Sequence, residues 1–256
     1  YLSNGSSMNK KGLLGIYLDE EYNDINTQGI YQVNYEDIQH LLNGFLSEYK
    51  DSEIEEIFNK IKREADRVGV TESKTKTVVK NGIFNRKTNE LEPFSPDFVT
   101  LVKIPIDYNP RPTNPIIVED DGFRWDVDSW IYDLADNDFD TNTLIWQVIA
   151  DCLQPSYSRN RSIWFYSDKG NNGKGTLGQL IKNLLGENNY SSLSVSDFKK
   201  RFLTSGLIGV AANISDENNV NDYIDSVKDY KASITGDDII IDIKHEQPIR
   251  FKFKGA

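Results

Sequence analysis

The clearest pattern in the sequence is a glycine-rich loop that lies between a short apolar run and an amphipathic segment. The apolar run at 163–166 predicts a strand, and apolar residues at helical spacing from 177 to 185 predict a helix. The loop reads Gly-Asn-Asn-Gly-Lys-Gly-Thr at 170–176. In a strand–loop–helix context, glycines allow backbone N–H groups to surround a phosphate, and Lys174 can reach the β and γ phosphates. The sequence therefore predicts a P-loop that binds a nucleoside triphosphate, here ATP with Mg²⁺.

Two positions differ from the usual P-loop pattern. Asp168 stands at the first glycine position, and Gly175 stands where Ser or Thr normally follows the lysine. Thr176 comes one residue later, so its hydroxyl either binds Mg²⁺ or contacts a phosphate while Mg²⁺ is held through water. The alternative is a surface turn that caps a helix, which the flanking strand and helix disfavour. The predicted nucleotide-binding residues are Gly170, Asn171, Asn172, Gly173, Lys174, Gly175, Thr176 and Leu177.

A second apolar run, at 207–214, predicts another strand and is followed by Asp216 and Glu217. P-loop ATPases place carboxylates at the end of a neighbouring strand, where one holds Mg²⁺ and another orients the attacking water. We therefore predict that Asp216 binds Mg²⁺, with Thr176 as a second ligand. Glu217 would then polarise the water, and Lys174 completes the catalytic set. The alternative is an acidic surface loop, and the position after an apolar strand favours the catalytic interpretation.

The last predicted element is a hairpin at 239–254. Apolar residues alternate with Arg250, Lys252 and Lys254 at the period of a strand, which gives one apolar and one basic face. Lys244 and His245 lie at the tip. A basic hairpin could grip the phosphates of single-stranded DNA, and it could equally be an edge hairpin with solvated lysines. The residues alone leave these two interpretations open.

The rest of the chain divides at a proline-rich connector. Apolar residues at helical spacing predict helices at 38–49 and 54–68. Four prolines between 105 and 115 form a stiff connector, and we place a domain boundary after it. The predicted parts are a mainly helical or mixed domain at 1–118 and a domain at 119–256. In the second, the order strand, loop, helix, strand predicts an α/β fold with a largely parallel sheet.

The composition limits the partners and the compartment. The formal net charge is −11, so any contact with DNA must be local to a basic element. No apolar run is long enough to span a membrane. Cys152 is the single cysteine and falls in an apolar pattern, so we interpret it as buried packing in a protein of the reducing cytoplasm. The two histidines, His40 and His245, are far apart in sequence, and a histidine metal site is not expected.

Taken together, these patterns resemble the superfamily 3 helicases of the phage, plasmid and poxvirus primase–helicase type. The matching pieces are the loop at 170–176, the segment at 207–216 with its Ala-Asn-Ile-Ser-Asp core, and the segment at 231–254 with Thr-Gly-Asp-Asp. Upstream, the segments at 81–84, 93–96 and 103–110 are similar to the N-terminal region of that family. The resemblance spans residues 75–256.

The resemblance implies an AAA+-like ATPase core in a replication helicase of a mobile genetic element, with ATP bound between the subunits of a hexameric ring. The hairpins of the family line the ring's channel and grip one DNA strand, moving it 3′ to 5′. This implies DNA contacts for Lys244, His245, Arg250 and Lys252. In the family a sensor Asn and an arginine finger follow, and the sequence stops at Ala256 before either. We therefore expect a core that is incomplete at its C-terminus, and a weak ATPase.

Two other functions stay open. The segment 173–176 also resembles nucleoside monophosphate kinases, which suggests a small-molecule phosphotransferase. Those enzymes usually carry the loop near the chain start and an arginine-rich lid after it, whereas the downstream arginines here are Arg201 and Arg250. A non-catalytic replication-initiation or docking module, in which nucleotide serves structure only, is the third hypothesis.

Overall fold

The computed structural model describes residues 2–3, 12–20, 28–167, 170–216, 227–243 and 248–256. Within these residues the chain forms six α-helices: α1 (Tyr35–Phe45), α2 (Asp51–Glu64), α3 (Val127–Leu134), α4 (Phe139–Cys152), α5 (Lys174–Leu185) and α6 (Lys228–Thr235). Three 3-10 helices cover Glu187–Asn189, Val195–Lys199 and Leu203–Leu207. The strands are β1 (Leu2–Ser3), β2 (Ile16–Tyr17), β3 (Tyr31–Gln32), β4 (Val68–Gly69), β5 (Lys76–Val79), β6 (Gly82–Asn85), β7 (Glu90–Glu92), β8 (Ile117–Val118), β9 (Arg124–Trp125), β10 (Tyr190–Ser191), β11 (Ala212–Asn213), β12 (Ile239–Ile241) and β13 (Ile249–Phe251).

The strands pair into small sheets. Among the described residues the largest is the antiparallel sheet β5-β6-β7, whose first hairpin turns at Lys80 and Asn81. The pairs β2–β3, β8–β9 and β12–β13 are also antiparallel, whereas β1–β4 and β10–β11 are parallel. The chain is therefore mixed α and β, with mostly antiparallel pairing. The largely parallel sheet of a P-loop core stays a prediction.

Side-chain caps fix the starts of several helices. The Asn34 carboxamide oxygen accepts N–H bonds from the first turn of α1. Asp126 and Asp138 do the same for α3 and α4, accepting from the N–H groups of Ser129 and Thr141. Each cap satisfies a first-turn N–H that has no partner inside its helix. Both helices predicted in the N-terminal part are present, but α1 ends at Phe45 and α2 at Glu64, so the predicted extensions to 49 and 68 are wrong.

A central cluster of buried apolar residues joins α3, α4 and α5 to the segment before the proline-rich connector. Its members are Val102, Ile104, Ile131, Ala135, Ile145, Ile149, Cys152, Leu177, Ile181, Leu185, Ala211 and Ala212. The burial of Cys152 confirms its interpretation as packing. Because Val102 and Ile104 precede the predicted boundary near 118, the two predicted domains share this cluster.

A second cluster, the hairpin cluster, forms under the last two strands. It comprises Phe198, Leu207, Ile239, Ile241, Ile249, Phe251 and Phe253. The alternating apolar residues of the predicted hairpin are thus the buried ones, and β12 pairs with β13 in the antiparallel register Ile240 to Arg250. A smaller cluster of Leu14, Ile38 and Phe58 packs α1 against α2.

Two predicted strands have a different structure. The segment 163–166 before the loop has no regular secondary structure, and its side chains are exposed, Tyr166 to 84%. A strand of a stable sheet packs one face against the rest of the protein, whereas the side chains of this segment are exposed on both faces. Of the strand predicted at 207–214, only β11 forms, because the left-handed backbone of Gly209, at φ 76°, interrupts the extended chain.

Among the helices of the described residues, none is long and apolar enough to cross a membrane.

Candidate nucleotide-binding site

The loop that precedes α5 is shaped by two residues with left-handed backbone angles. Gly173 is the N-cap of α5 at φ 79°, and Asn171 lies at φ 55°. A Cβ on Gly173 would lie 2.6 Å from Cδ1 of Leu134, so the backbone angle and the packing against α3 both require glycine. At Gly170 and Gly175 a Cβ would meet no atom within 4 Å. The backbone of the loop therefore borders open space at the N-terminus of α5.

Lys174 is the first residue of α5 and is half-buried. Its Nζ donates to Oδ1 of Asn172 at 2.8 Å, which folds the ammonium over the loop. The first-turn N–H groups of a helix have no carbonyl partner within it, and the helix dipole places positive potential at the same end. The ammonium and the helix end therefore act together on any anion that enters the loop.

The next two predicted ligands differ in their surroundings. Thr176 is exposed in the first turn of α5. Leu177 is buried in the central cluster, and its backbone N–H donates to the carbonyl oxygen of Gly173 at 2.9 Å. The side chain of Leu177 thus anchors α5 in the central cluster. Its backbone N–H, the group that could donate to a phosphate, is already bonded within the helix.

Asp216 lies beside the middle of α5, after β11. Its Oδ2 accepts from Nζ of Lys182 at 2.8 Å, and its Oδ1 lies 3.8 Å from where a Cβ on Gly178 would stand. Lys174, Gly178 and Lys182 follow one another at intervals of four residues, so they share one face of the helix. Asp216 is therefore on the same face of α5 as Lys174.

These groups surround one cleft of about 800 Å³. Its walls include residues 161–165, the loop 170–176 and the segment 212–216, which begins with β11. Tyr230 and Ser233 of α6 also border it. The cleft thus places the glycine-rich loop and Asp216 on a single cavity of the size that holds a nucleotide-sized ligand.

The residues present fit a nucleoside triphosphate with Mg²⁺. The open cradle at Gly170 and Gly175 and the ammonium of Lys174 suit the phosphates. Within the described residues no group of three or more His, Cys, Asp or Glu side chains could hold a metal alone. A single carboxylate, Asp216, suits Mg²⁺ that also binds phosphate oxygens and keeps several waters.

A buried arginine fixes the wall of the cleft at the end of α4. The guanidinium of Arg159 donates to the carbonyl oxygens of Asp151 and Gln154 at 2.6 and 2.7 Å and stacks on the ring of Tyr157. These bonds satisfy carbonyls at the C-terminal end of the helix, where the dipole favours a cation. Cys152 lies below, and its burial raises the pKa of the thiol from 9.0 to about 11.

The described part of the predicted DNA-binding hairpin has one exposed cation and two partly covered ones. Arg250 is exposed on β13, and Lys252 is half-buried. Lys254 donates to Oε1 of Glu72 at 2.6 Å, and this hydrogen bond holds the pKa of the Glu72 carboxyl below its ordinary value. The alternation of buried apolar and outward basic residues is confirmed, and Glu72 faces part of the basic side.

Three predicted site residues lie outside the described residues: Glu217, Lys244 and His245. Their predicted roles stay predictions. Two further residues were not predicted from the sequence: Arg159, which lines the cleft, and Lys182, which donates to Asp216. The only signal for Lys182 was its spacing of eight residues from Lys174 on one helical face, and no signal distinguished Arg159 from a surface arginine.

Comparison with known families assigns the larger part of the chain. Residues 12–154, more than half of the sequence, match the family described as D5 N terminal like. The chain therefore belongs to the D5 N-terminal-like family, a domain associated with the primase–helicase proteins of phage and plasmid replication.

The remaining part matches a second family. Residues 165–256, which contain the glycine-rich loop, Asp216 and the hairpin, match a family of unknown function (DUF5906). No curated protein matches the chain. The D5 N-terminal-like match thus identifies a replication-related protein, and neither match assigns a chemistry to the cleft.

Proposed function

We propose that the chain is the ATP-binding part of a superfamily 3 type replication helicase, which couples ATP hydrolysis to movement along single-stranded DNA. The observation that carries this proposal is the cleft at the N-terminus of α5, where the glycine-rich loop, Lys174 and Asp216 border one cavity. Membership of the D5 N-terminal-like family supports the replication context, because that domain accompanies primase–helicases. The function is thus argued from the site and its context together.

In this proposal each part of the cleft has one task. The first-turn N–H groups of α5 and the ammonium of Lys174 bind the phosphates of ATP. Asp216 holds Mg²⁺, which supplies charge neutralisation to the transferring phosphoryl group when bound. Thr176 contributes its hydroxyl to the metal or a phosphate, and Glu217 orients the attacking water.

The binding step is tested by titrating a fluorescent ATP analogue into the whole chain with Mg²⁺. Wild type is expected to bind, and Lys174→Ala is expected to lose at least tenfold in affinity because the phosphates lose the ammonium at the N-terminus of α5. Lys231→Ala, which removes an exposed lysine from α6, is the matched control and should bind as wild type does. Equal binding by wild type and Lys174→Ala would contradict the proposal.

Turnover is tested by ATP hydrolysis with and without single-stranded DNA. The helicase proposal expects hydrolysis that DNA stimulates and that Lys174→Ala abolishes. Transfer of phosphate to AMP would instead indicate a nucleotide phosphotransferase. Nucleotide binding without turnover in either condition would indicate a docking module in which the nucleotide has only a structural role. A ring, expected to be hexameric, would appear as nucleotide-dependent self-association in sedimentation experiments.

A further inference from the structure

Lys182 is a charged residue at a buried position of α5, where an apolar side chain would pack as well. It lies on α5 among Ile181 and Leu185 of the central cluster, and its side chain is 10% exposed. Its Nζ lies 5.7 Å from the centre of the Tyr190 ring and 2.8 Å from Oδ2 of Asp216. A buried ammonium loses hydration, so an apolar side chain of similar length would serve packing better. The lysine is therefore explained by its charge.

The partner of this ammonium is the carboxylate that faces the cleft. The Asp216 side chain is 66% exposed, so it has no need of Lys182 for solvation. The ion pair instead restricts its direction, because Oδ2 is bonded to a lysine that packing and the Tyr190 ring hold in place. Oδ1 is left beside Gly178, one helical turn from Lys174.

We propose that Lys182 is a positioning residue that orients Asp216 toward the Mg²⁺ of a bound nucleotide. The inference rests on the proposed nucleotide-binding function of the cleft. One oxygen of Asp216 is fixed by Lys182 and the other is presented to the metal or to a water bound to it. Groups that orient a metal-binding carboxylate in this way typically contribute about 10–100-fold to metal affinity or activity. Gly178 lies beside Oδ1 of Asp216, where a Cβ would make only an ordinary contact at 3.8 Å.

The test compares nucleotide affinity in Mg²⁺ and in EDTA, using the fluorescent ATP analogue and the whole chain. Lys182→Met keeps the length and packing of the side chain and removes its charge. It is expected to weaken binding about tenfold or more in Mg²⁺ and to leave affinity in EDTA unchanged. Lys182→Arg keeps a donor for Asp216 and is expected to recover most of the Mg²⁺-dependent affinity. Lys76→Met, which breaks the half-buried Lys76–Glu92 pair away from the cleft, is the control and should change neither affinity.

A double-mutant cycle establishes whether Lys182 acts through Asp216. In an Asp216→Asn background, Lys182→Met is expected to have no further effect on the Mg²⁺-dependent affinity. An equal loss for Lys182→Met in Mg²⁺ and in EDTA, or a loss that persists in the Asp216→Asn background, would overturn the positioning role. Mg²⁺-dependent binding by wild type that Lys182→Met leaves intact would overturn this inference alone. Absence of nucleotide binding by folded wild type would overturn the proposed function as well.

Discussion

The pKa of Cys152 is changed by the burial of its side chain. It lies in the central cluster at the end of α4, and burial raises its pKa from 9.0 to about 11, although Arg159 nearby lowers it in part. The protonated thiol is the neutral form, so burial in an apolar cluster favours it. In the unfolded chain the same thiol has a pKa near its ordinary value. At a pH between the two pKa values, the folded protein therefore binds this proton more tightly than the unfolded chain does.

This difference predicts a pH-dependent loss of stability at alkaline pH. The stabilisation is fully present below pH 9 and is lost as pH rises toward 11, and a shift of two units corresponds to roughly 3 kcal/mol. Urea unfolding gives the free energies of unfolding of wild type and of Cys152→Ala. The difference between the two should change by this amount between pH 9 and pH 11. All other ionisable side chains are common to the two proteins, so their contributions cancel in the difference between the free energies of unfolding. A difference that stays constant with pH would contradict the assigned burial.

At the same scale, some site residues could be predicted from the sequence and others could not. Gly173 and Lys174 belong to a short local pattern, whose backbone angles depend on neighbours in sequence, and their place at the start of α5 is confirmed. The partnership of Lys182 with Asp216 joins residues 34 positions apart. Such a contact depends on how β11 is placed beside α5, which no local pattern contains.

At the scale of elements, helices were easier to predict than strands. A helix makes its hydrogen bonds within itself, so periodic apolar residues and caps such as Asn34 and Asp138 largely determine it. A strand needs a partner. The segment 163–166 is apolar enough for a strand but pairs with no strand of the described residues, and the apolar run at 207–214 is interrupted at Gly209.

Helix α5 offers a matched pair of glycine substitutions with opposite expected effects. Gly178 is inside the helix, and a Cβ there would make only an ordinary 3.8 Å contact with Asp216. Gly178→Ala should therefore raise the free energy of unfolding by up to about 1 kcal/mol, the difference in helix propensity. Gly186 ends the helix at φ 81°, with Pro105 Cγ 2.7 Å from the Cβ position, so Gly186→Ala should destabilise. Urea midpoints measure both, and a loss for Gly178→Ala would contradict the space assigned beside Asp216.

At the scale of the whole molecule, the two predicted domains are joined by contacts that cross the predicted boundary. Val102 and Ile104 pack in the same cluster as α5, and the Glu72–Lys254 ion pair ties residues 182 positions apart. The body is acidic overall, with a net charge of −11, and the hairpin concentrates basic residues on one face. Binding of nucleic acid to such a molecule would depend on a few local cations, because the remaining surface repels phosphate.

The salt dependence of DNA binding tests whether the hairpin supplies those cations. If Arg250 and Lys252 each contact one phosphate, the double variant Arg250→Ala/Lys252→Ala should bind single-stranded DNA more weakly. Its plot of log affinity against log salt should be shallower by about 0.7 for each lost contact. Lys228→Ala/Lys231→Ala removes the same charge from exposed positions on α6 and is the matched control. Fluorescence anisotropy at several salt concentrations measures both slopes. Equal changes in the two variants would mean that DNA senses only the net charge, whereas a change confined to the hairpin variant would identify the basic face of β13 as the contact.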